Sequence, residues 1–268
     1  MHTELIISTF NKPKHLKLLI DSLYLQKVLP DTVCFADDGS DSRTHELIKN
    51  IKYNHNKLYV RHEWQKNRGF RKNLILNKSI LTSNADYIIF IDGDCVMHPN
   101  FIQRHLSMAQ EGVFLSGSVI RLSTHFSKNI LKNGKIELDN KSRLVGWNPE
   151  TLSDKLKSMP IGPNLMGILD KITPIKCSWS GGNASTFKKH IISVNGFDTK
   201  MYYGGEDKEF GVRLINARIK GKHLRYTAPL YHIDHGRSYI NIKQIEKNRE
   251  IINAHRRNGI IKTKNGLV

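Results

Sequence analysis

Two carboxylates one residue apart, Asp92 and Asp94, follow the apolar run Tyr87–Ile91. The glycine between them, Gly93, lets the chain turn so that both side chains face one point beyond the end of a strand. Hard divalent cations such as Mg²⁺ and Mn²⁺ prefer oxygen ligands of this kind. Asp-Gly is also a common turn pair, and the three residues alone favour a simple acidic turn. Their context decides between the two interpretations.

A second acidic pair, Asp37 and Asp38, ends the apolar run Thr32–Ala36 and is followed by Gly39 and further polar residues. A carboxylate in this position can accept a hydrogen bond from the N–H of a uracil ring or from ribose hydroxyls. The alternative is a turn with a capping group before the helix predicted near Thr44.

Three cations, Arg68, Arg71 and Lys72, stand near the start of a predicted helix, where they could neutralise a diphosphate. The alternative is a solvated basic helix end. Farther along the chain, Glu206 and Asp207 begin another predicted helix, where carboxylates are favoured by the helix dipole and commonly act as caps. The preceding glycines would allow a ligand to approach closely.

Strands and helices alternate through the first part of the chain. This alternation predicts the α/β class with a mostly parallel sheet wound by helices, and ligands bind such sheets beyond the carboxyl ends of the strands. The polar loops that follow the first, second and fourth strands should therefore meet at one crevice. The predicted strands are Glu4–Ser8, Thr32–Ala36, Leu58–His62 and Tyr87–Ile91, with helices after Pro13, over Thr44–Ile51 and Leu74–Leu81, and from Pro99.

The second part of the chain is less regular. No element is assigned between Ser123 and Lys176, where Gly, Pro and Asn are scattered. Elsewhere the pattern predicts two strands, Val113–Leu122 and Leu224–Tyr231, and three helices, Lys188–Val194, Glu206–Ile219 and Ile240–Asn258.

The composition sets broad limits. A chain of 268 residues with 39% hydrophobic residues suits one large domain with a small appendage. Its net charge of +18 favours polyanionic partners such as nucleic acid, anionic lipid or phosphorylated small molecules, although a solvated basic surface explains it equally well. Three distant cysteines and the absence of a secretory signal predict a cytoplasmic protein.

Six short motifs occur together and in a recognisable order. On these motifs the chain resembles the GT-A fold glycosyltransferases of the inverting family 2, and it is similar to chondroitin-polymerase and β-1,4-galactosyltransferase domains over residues 3 to 235. The motifs are Ser8-Thr9-Phe10-Asn11, Asp37–Asp41, Asn67–Asn73, Asp92-Gly93-Asp94, Gly181-Gly182-Asn183 and Gly204-Gly205-Glu206-Asp207.

The resemblance implies a role for each motif. Asp94 would ligate Mn²⁺ or Mg²⁺ together with a histidine from a late strand, for which His232 is preferred over His235. Asp207 would be the general base, and Glu206 would hold sugar hydroxyls. The nucleotide-sugar would contact Thr9, Phe10, Asn11, Asp37, Asp38, Arg68, Arg71, Lys72, Asp92, Gly93, Gly182 and Asn183, with Asp37 at the base.

The implied activity is inverting transfer of a hexose or N-acetylhexosamine from a UDP-sugar to a hydroxyl of a glycan or lipid-linked acceptor, in bacterial surface polysaccharide synthesis. One alternative is a metal-dependent sugar nucleotidyltransferase, although such enzymes usually need a glycine-rich basic loop after the first strand, and Ser8–Asn11 lacks glycine. The other is a non-catalytic nucleic-acid-binding protein, for which only the charge speaks, so no nucleic acid partner is expected.

The expected organisation is a catalytic domain over residues 1–238, with a nucleotide-binding half (1–120) and an acceptor-binding half (121–238). Residues 239–268 would form a basic helix and tail. Such a helix could lie on the inner face of an anionic membrane, or it could pack on the catalytic domain with its charged side in solvent. Its cations are Lys243, Lys247, Arg249, Arg256 and Arg257.

Overall fold

The computed structural model describes residues 1–54, 58–139, 143–158, 163–173, 177–236 and 241–267. Among these, the strands are β1 (Thr3–Thr9), β2 (Thr32–Asp37), β3 (Tyr59–Trp64), β4 (Tyr87–Asp92), β5 (Cys95–Met97), β6 (Val113–Gly117), β7 (Val119–Arg121), β8 (Asn183–Phe187), β9 (Lys220–Leu224) and β10 (Leu230–His232). The helices are α1 (Pro13–Tyr24), α2 (Ser42–Asn54), α3 (Lys72–Leu81), α4 (Phe101–Ser107), α5 (Thr124–Asn133), α6 (Leu152–Lys157), α7 (Pro163–Ile172), α8 (Lys188–Ser193), α9 (Glu206–Asn216) and α10 (Ile242–Arg257).

The larger sheet has seven strands in the order β3-β2-β1-β4-β8-β6-β9. β1 pairs in parallel with β2 and β4, β2 with β3, and β6 with β9, whereas β8 runs antiparallel to both of its neighbours. The predicted mostly parallel α/β sheet is therefore confirmed. Its parallel half brings the carboxyl ends of β1, β2 and β4 to one edge, as the loops of the predicted crevice require.

Both faces of this sheet are covered, and the alternation of side chains along β1 shows how. Leu5 and Ile7 point into a core formed with α1, α2 and α4, whereas Ile6 points into a second core formed with α3, α8 and α9. All three side chains are fully buried. Burying a side chain of this size contributes roughly 1.5–3 kcal/mol, so β1 is stabilised by packing on both of its faces.

The helices begin and end where local chemistry allows. α1 starts at Pro13, which has no N–H to satisfy in the first turn. Ser123 caps α5 by accepting a hydrogen bond from the N–H of Phe126, and Gly134 ends that helix with a left-handed φ of 67°. The helix α10 is capped by Asn241, whose side-chain oxygen accepts from the N–H of Gln244.

The predicted strand Val113–Leu122 is wrong as one element, because the chain changes sheets in its middle. β6 stays in the larger sheet, and β7 joins a three-stranded sheet of order β5-β10-β7. The break falls where a side chain on Gly117 would collide with Asn183 at 2.2 Å, and where Ser118 turns to bond the carbonyl of Arg225. The predicted strand Leu224–Tyr231 is also wrong as one element: Leu224 ends β9 and Leu230 begins β10 in the other sheet, and residues 225–229 between them are not strand.

The unassigned segment Ser123–Lys176 contains three helices, α5, α6 and α7, within the residues that are described. Residues 140–142, 159–162 and 174–176 of this segment lie outside them. α5 packs with the small sheet in a separate apolar cluster that includes Ile130, Ile120 and Tyr231. The small sheet also joins the first main core through Cys95, Met97 and Leu230, so it packs on both sides.

The predicted C-terminal helix is confirmed as α10, although its predicted first residue Ile240 lies outside the described residues. It packs against α9, with Ile252 buried beside Val212 and Met201. The division of the domain at residue 120 stays a prediction, and so does the boundary at 238, which falls within the undescribed stretch 237–240. No helix within the described ranges has the length and apolar character needed to span a membrane.

A buried ion pair stabilises α9. Arg213 and Glu209 are both completely buried and share two hydrogen bonds, of 2.6 and 2.9 Å. The guanidinium also donates to the carbonyl of Val194, and His255 of α10 contacts the same carboxylate at 2.8 Å. The pair therefore joins α9 to the loop after α8 and to α10.

Replacing Arg213 by leucine should lower the free energy of unfolding by roughly 3–5 kcal/mol, because it leaves the Glu209 carboxylate buried without its main partner. Urea unfolding followed by circular dichroism measures the loss, with Arg256→Leu on the exposed side of α10 as the matched control. A difference between the two variants of less than about 1 kcal/mol would contradict this assignment.

Candidate active site

A carboxylate and two imidazoles converge beside the loop between β4 and β5. The Oδ2 atom of Asp94 lies 2.8 Å from Nε2 of His235, and its Oδ1 atom lies 3.6 Å from Nε2 of His232. One ligand atom from each of the three residues lies within 4.8 Å of the others. The pairing of β10 with β5 causes this convergence, because it places His232 opposite Cys95, the residue after Asp94.

These donors suit a divalent cation. A carboxylate oxygen and two imidazole nitrogens are ligands that Mn²⁺ accepts, and the remaining positions would be open to phosphate or water. His232 is the predicted ligand, and the structure also places His235 beside Asp94, at the shorter distance. The two histidines are therefore equivalent candidates.

The charge of Asp94 is already balanced within the protein. Burial alone would raise the pKa of this carboxyl, but its hydrogen bonds with His235 and with Lys12, at 3.0 Å, hold the pKa below its ordinary value. His15 lies at the border of the cluster, with its ring 6.0 Å from that of His235. Burial, followed by the charge of Lys12, lowers the pKa of His15 to about 4, so this imidazole is neutral.

Asp92 lies at the carboxyl end of β4, next to β1. The register of the two strands puts Ser8 opposite Asp92, and the Ser8 hydroxyl donates to Oδ1 of Asp92 at 2.7 Å. The Lys72 ammonium donates to the same oxygen at 2.5 Å, and the N–H of Gly93 donates to the carbonyl of Ser8 at 2.8 Å. β1, β4 and the first turn of α3 are thus joined at one carboxylate.

Asp37 occupies the matching position at the end of β2, opposite Thr9 of β1. It is completely buried, and its oxygens accept hydrogen bonds from the N–H of Ser40 at 2.8 Å and face Nε2 of His62 at 3.1 Å. Both oxygens therefore already have protein partners. The predicted contact of Asp37 with a base stays a prediction.

Asp38 and the loop after β1 frame the same end of the sheet. Asp38 accepts from the N–H of Arg71 at 2.7 Å, and burial raises the pKa of its carboxyl. Thr9 is buried, whereas the next residue, Phe10, keeps 45% of its surface exposed. Asn11 has a positive φ of 48° and binds Ser40 through its N–H at 2.9 Å. The hydrogen bond from Asn11 to Ser40 fixes the end of this loop, whereas the ring of Phe10 is exposed to solvent.

The three predicted cations are placed differently. Arg68 is exposed, and Arg71 donates to the carbonyl of Lys66 in its own loop. The Lys72 side chain donates to the carboxylate of Asp92, whereas Arg71 reaches Asp38 through its backbone N–H. Burial would lower the pKa of Lys72, but the carboxylates of Asp92 and Glu206 raise it above its ordinary value, so the amine stays charged.

Asp92 and Asp207 lie on either side of the turn formed by Gly181 and Gly182. A Cβ atom on Gly182 would lie 2.6 Å from Oδ2 of Asp92, and one on Gly181 would lie 3.1 Å from Cβ of Asp207. The N–H of Gly181 donates to Oδ2 of Asp207 at 3.1 Å. A side chain at Gly182 would collide with Asp92 and one at Gly181 would crowd Asp207, so the two glycines let the two halves of the chain approach each other closely.

The two carboxylates at the start of α9 differ in exposure. Glu206 is 8% exposed and accepts from the N–H of Gly204 at 2.8 Å. Burial, followed by the charge of Asp207, raises the pKa of Glu206. Asp207 is half-buried, and its Oδ1 accepts from the N–H of Lys208 at 2.8 Å. Asp207 is thus the more accessible of the two.

Asn183 does not join the other predicted residues. Its side chain is completely buried, with its amide donating to the carbonyls of Ser118 and Ala228 at 2.8 and 2.9 Å and its oxygen 3.1 Å from Nε2 of His105. These bonds hold β8 to the segments that lead into the small sheet. The sequence motif is therefore a glycine turn beside Asp92 and Asp207, followed at once by a buried asparagine that links segments of the interior.

Two residues of the site were assigned no contact from the sequence: Ser8 enters only as the first residue of a motif, and Lys12 belongs to no motif. Lys12 stands alone at the start of α1, and Ser8 is one polar residue at the end of an apolar strand. Aligning the ends of β1, β2 and β4 places Ser8 opposite Asp92 and Thr9 opposite Asp37. This register could have indicated that Ser8 contacts Asp92. Nothing in the local sequence links Lys12 to Asp94.

The sequence model of glycosyl transferase family 2 matches residues 4–159, which is more than half of the chain. The chain belongs to glycosyl transferase family 2. A second model, described as the N-terminal domain of galactosyltransferase, matches residues 176–236. The first match contains Asp92 and Asp94, and the second contains Gly182, Asp207 and His232, so the site of this glycosyltransferase forms where the two matches meet.

The relatives are synthases of bacterial polysaccharides. The chain is 29% identical over 235 residues to a chondroitin synthase of Escherichia coli. The aligned region covers 78% of this chain and 32% of the relative. It is 26% identical over 224 residues to a hyaluronan synthase of Pasteurella multocida, covering 79% and 22%. The chain therefore spans about a third or less of the length of these relatives.

Solved structures show the same fold. The mannosyltransferase PcManGT from Pyrobaculum calidifontis, in complex with GDP-Man and Mn²⁺, aligns with a TM-score of 0.58 at 14% identity, over 89% of this chain and 58% of that one. S. aureus TarS aligns with a TM-score of 0.65 at 14% identity, over 95% and 39%. The GT-A fold is thereby confirmed, and the family match favours sugar transfer over the two alternative functions.

If Asp94, His232 and His235 hold a cation, removing either imidazole should weaken Mn²⁺ binding by at least about tenfold, because the remaining donors are too few to replace it. Calorimetric titration of His232→Ala and His235→Ala with Mn²⁺ in the presence of UDP measures the effect, and His125→Ala on exposed α5 is the control. Unchanged affinity in one variant would remove that histidine from the ligand set.

Proposed function

We propose that this family 2 enzyme is a metal-dependent inverting glycosyltransferase that uses a UDP-sugar donor. The observation that carries the proposal is a series of neighbouring charged groups: the Asp94, His232 and His235 cluster, then Asp92 with its bond to Lys72, and then the carboxylate of Asp207, whose charge acts on Lys72. A cation site, a fixed ammonium and an accessible carboxylate at one sheet edge are the parts that transfer from a nucleotide diphosphate requires.

The donor side is argued from charge. A cation held by Asp94 and the two histidines would supply positive charge against the diphosphate. Lys72 keeps its own charge at the far side of Asp92, where it could stabilise the same leaving group. The complex of the structural neighbour PcManGT with GDP-Man and Mn²⁺ supports a nucleotide-sugar and a divalent cation in this fold. UDP as the nucleotide, and Mn²⁺ rather than Mg²⁺ as the ion, are parts of the proposal.

The acceptor side is argued from accessibility. Asp207 would take the proton from the acceptor hydroxyl while the oxygen attacks the anomeric carbon, and the bond from that carbon to the diphosphate breaks with its electron pair leaving on UDP. Attack opposite the leaving group inverts the anomeric centre. The N–H bonds from Gly181 and Lys208 fix the orientation of the Asp207 carboxylate. Glu206 lies deeper and bonds the Gly204 N–H.

The setting is proposed from the relatives. Because they are named as synthases of polysaccharides, we propose a glycan or lipid-linked saccharide as the acceptor and a hexose or N-acetylhexosamine as the transferred sugar. A screen of UDP-hexoses and UDP-N-acetylhexosamines for UDP release, with and without Mn²⁺, identifies the donor. UDP release from none of them, with tight binding of an oligonucleotide instead, would contradict the proposal.

Asp94→Ala should abolish Mn²⁺-dependent binding of UDP, whereas Asp207→Asn should leave this binding unchanged and lower the transfer rate by roughly 10²–10⁴-fold, because an amide cannot accept the proton. Calorimetry measures the first effect and UDP release in the presence of acceptor measures the second. Asp21→Asn on the outer side of α1 is the control. Undiminished transfer by Asp207→Asn would show that another group is the base.

A cytoplasmic location at the inner face of the membrane is part of the proposal. The charged side of α10 would be the surface that contacts the lipid. The apolar side of this helix packs on α9, whereas Lys243, Lys247 and Arg249 are exposed. Association would therefore be electrostatic and sensitive to salt.

Replacing these three cations by glutamine should weaken binding to vesicles that contain anionic lipid, at 0.1 M salt or below, by on the order of 100-fold, since each contributes about 1 kcal/mol near such a surface. Cosedimentation measures the loss. Neutral phosphatidylcholine vesicles are the control. Equal sedimentation of the variant and the native chain with anionic vesicles would exclude α10 as the contact.

A further inference from the structure

The last part of the chain lies beyond both family matches, the second of which ends at residue 236. Its helix α10 does more than cover α9. It also contacts the loop Tyr202–Gly205, which leads directly into Glu206 and Asp207 at the start of α9. The described residues on both sides of this contact show how the loop is held.

Asn248 is the polar centre of the contact. It lies in the middle of α10 and is completely buried. Its amide nitrogen donates to the carbonyl of Tyr202 at 2.8 Å and to that of Gly204 at 3.2 Å, with the Tyr203 carbonyl at 3.5 Å. Its side-chain oxygen accepts from Gln244 at 2.8 Å, one turn earlier on the same helix. One side chain therefore satisfies successive carbonyls of a loop that has no sheet or helix of its own.

The two glycines of the loop are explained by the same helix. A Cβ atom on Gly204 would lie 2.5 Å from Cγ1 of Ile245, and one on Gly205 would lie 3.0 Å from Cδ1 of Ile252. Both glycines also have positive φ values, of 110° and 104°. From the sequence alone, these glycines predict space for a ligand. Within the described residues, what approaches them is α10.

The loop also touches the nucleotide side of the crevice. The ring of Tyr203 packs edge-to-face on Phe70, with centroids 5.7 Å apart. Phe70 belongs to the loop before α3, whose first residue is Lys72. A shift of the loop Tyr202–Gly205 would thus displace Asp207 relative to Lys72 and Asp92.

We infer that α10 holds the base-bearing loop in its productive position, and that Asn248 is a positioning residue for Asp207. The inference rests on the proposed function, in which Asp207 accepts the acceptor proton. Asn248 touches neither donor nor acceptor, and acts through the carbonyls of Tyr202 and Gly204. A misplacement of about 1 Å in such a group can cost a hundredfold in rate, so a single buried amide can control turnover.

The test is Asn248→Asp, which keeps the shape of the side chain and replaces the donating amide by an oxygen that the loop carbonyls repel. The expected result is a fall in the transfer kcat of about 10- to 100-fold, with the affinity for UDP and Mn²⁺ and the KM for the donor changed less than about twofold. Asn253→Asp, an exposed position on the same helix, is the matched control. Hydrogen exchange of the peptide that spans residues 199–207 should become faster in Asn248→Asp only.

A second variant, Ile245→Ala, loosens the same loop without burying a charge, and it should give the same pattern at smaller amplitude. Full kcat in both variants, or a loss of UDP binding in parallel with kcat, would overturn the inference. If the native chain transfers no sugar but Asn248→Asp still speeds exchange in residues 199–207, the proposed function fails while the bracing of the loop stands. Unchanged exchange in both variants overturns the bracing itself.

Discussion

The repulsion between carboxylates gathered at one sheet edge is the constraint on which the rest of this structure depends. The carboxylates come from two distant parts of the chain. Asp92 ends β4 and Asp94 follows it closely, whereas Glu206 and Asp207 lie at the start of α9. Two lysines, Lys12 and Lys72, stand between them and offset their charge. Each lysine lies at the beginning of a helix that follows a parallel strand. The βα units that build the sheet therefore also supply the cations that make the acidic crevice stable.

The fold of the first half could be predicted because every signal agrees there. β1, β2 and β4 are short and almost entirely buried, each has a central run of apolar residues, and each ends in polar residues. The carboxyl ends of parallel neighbours must meet, so Ser8, Asp37 and Asp92 were placed correctly at one edge without knowledge of the register. The later motifs could be joined to them only through the family resemblance.

The rest could not be predicted because tertiary contacts overrode the local pattern. The run Val113–Leu122 favours a strand throughout, and its division depends on the collision between a side chain at Gly117 and Asn183, a residue 66 positions later whose amide bonds the Ser118 carbonyl. Asn183 looked like part of a ligand-binding turn because it adjoins Gly182, yet its side chain points inward. Lys12 reaches Asp94 only after the fold has formed.

The origin of the cation ligands has a consequence for how this protein would respond to its metal. Asp94 and His235 are 141 positions apart in sequence, and the small sheet β5-β10-β7 is what brings them together. An ion bound by both would act as a reversible cross-link between the two family matches, and it would stabilise the folded chain as RT ln(1 + [ion]/Kd). Chelation would then loosen the junction of the two halves before either apolar core is disturbed.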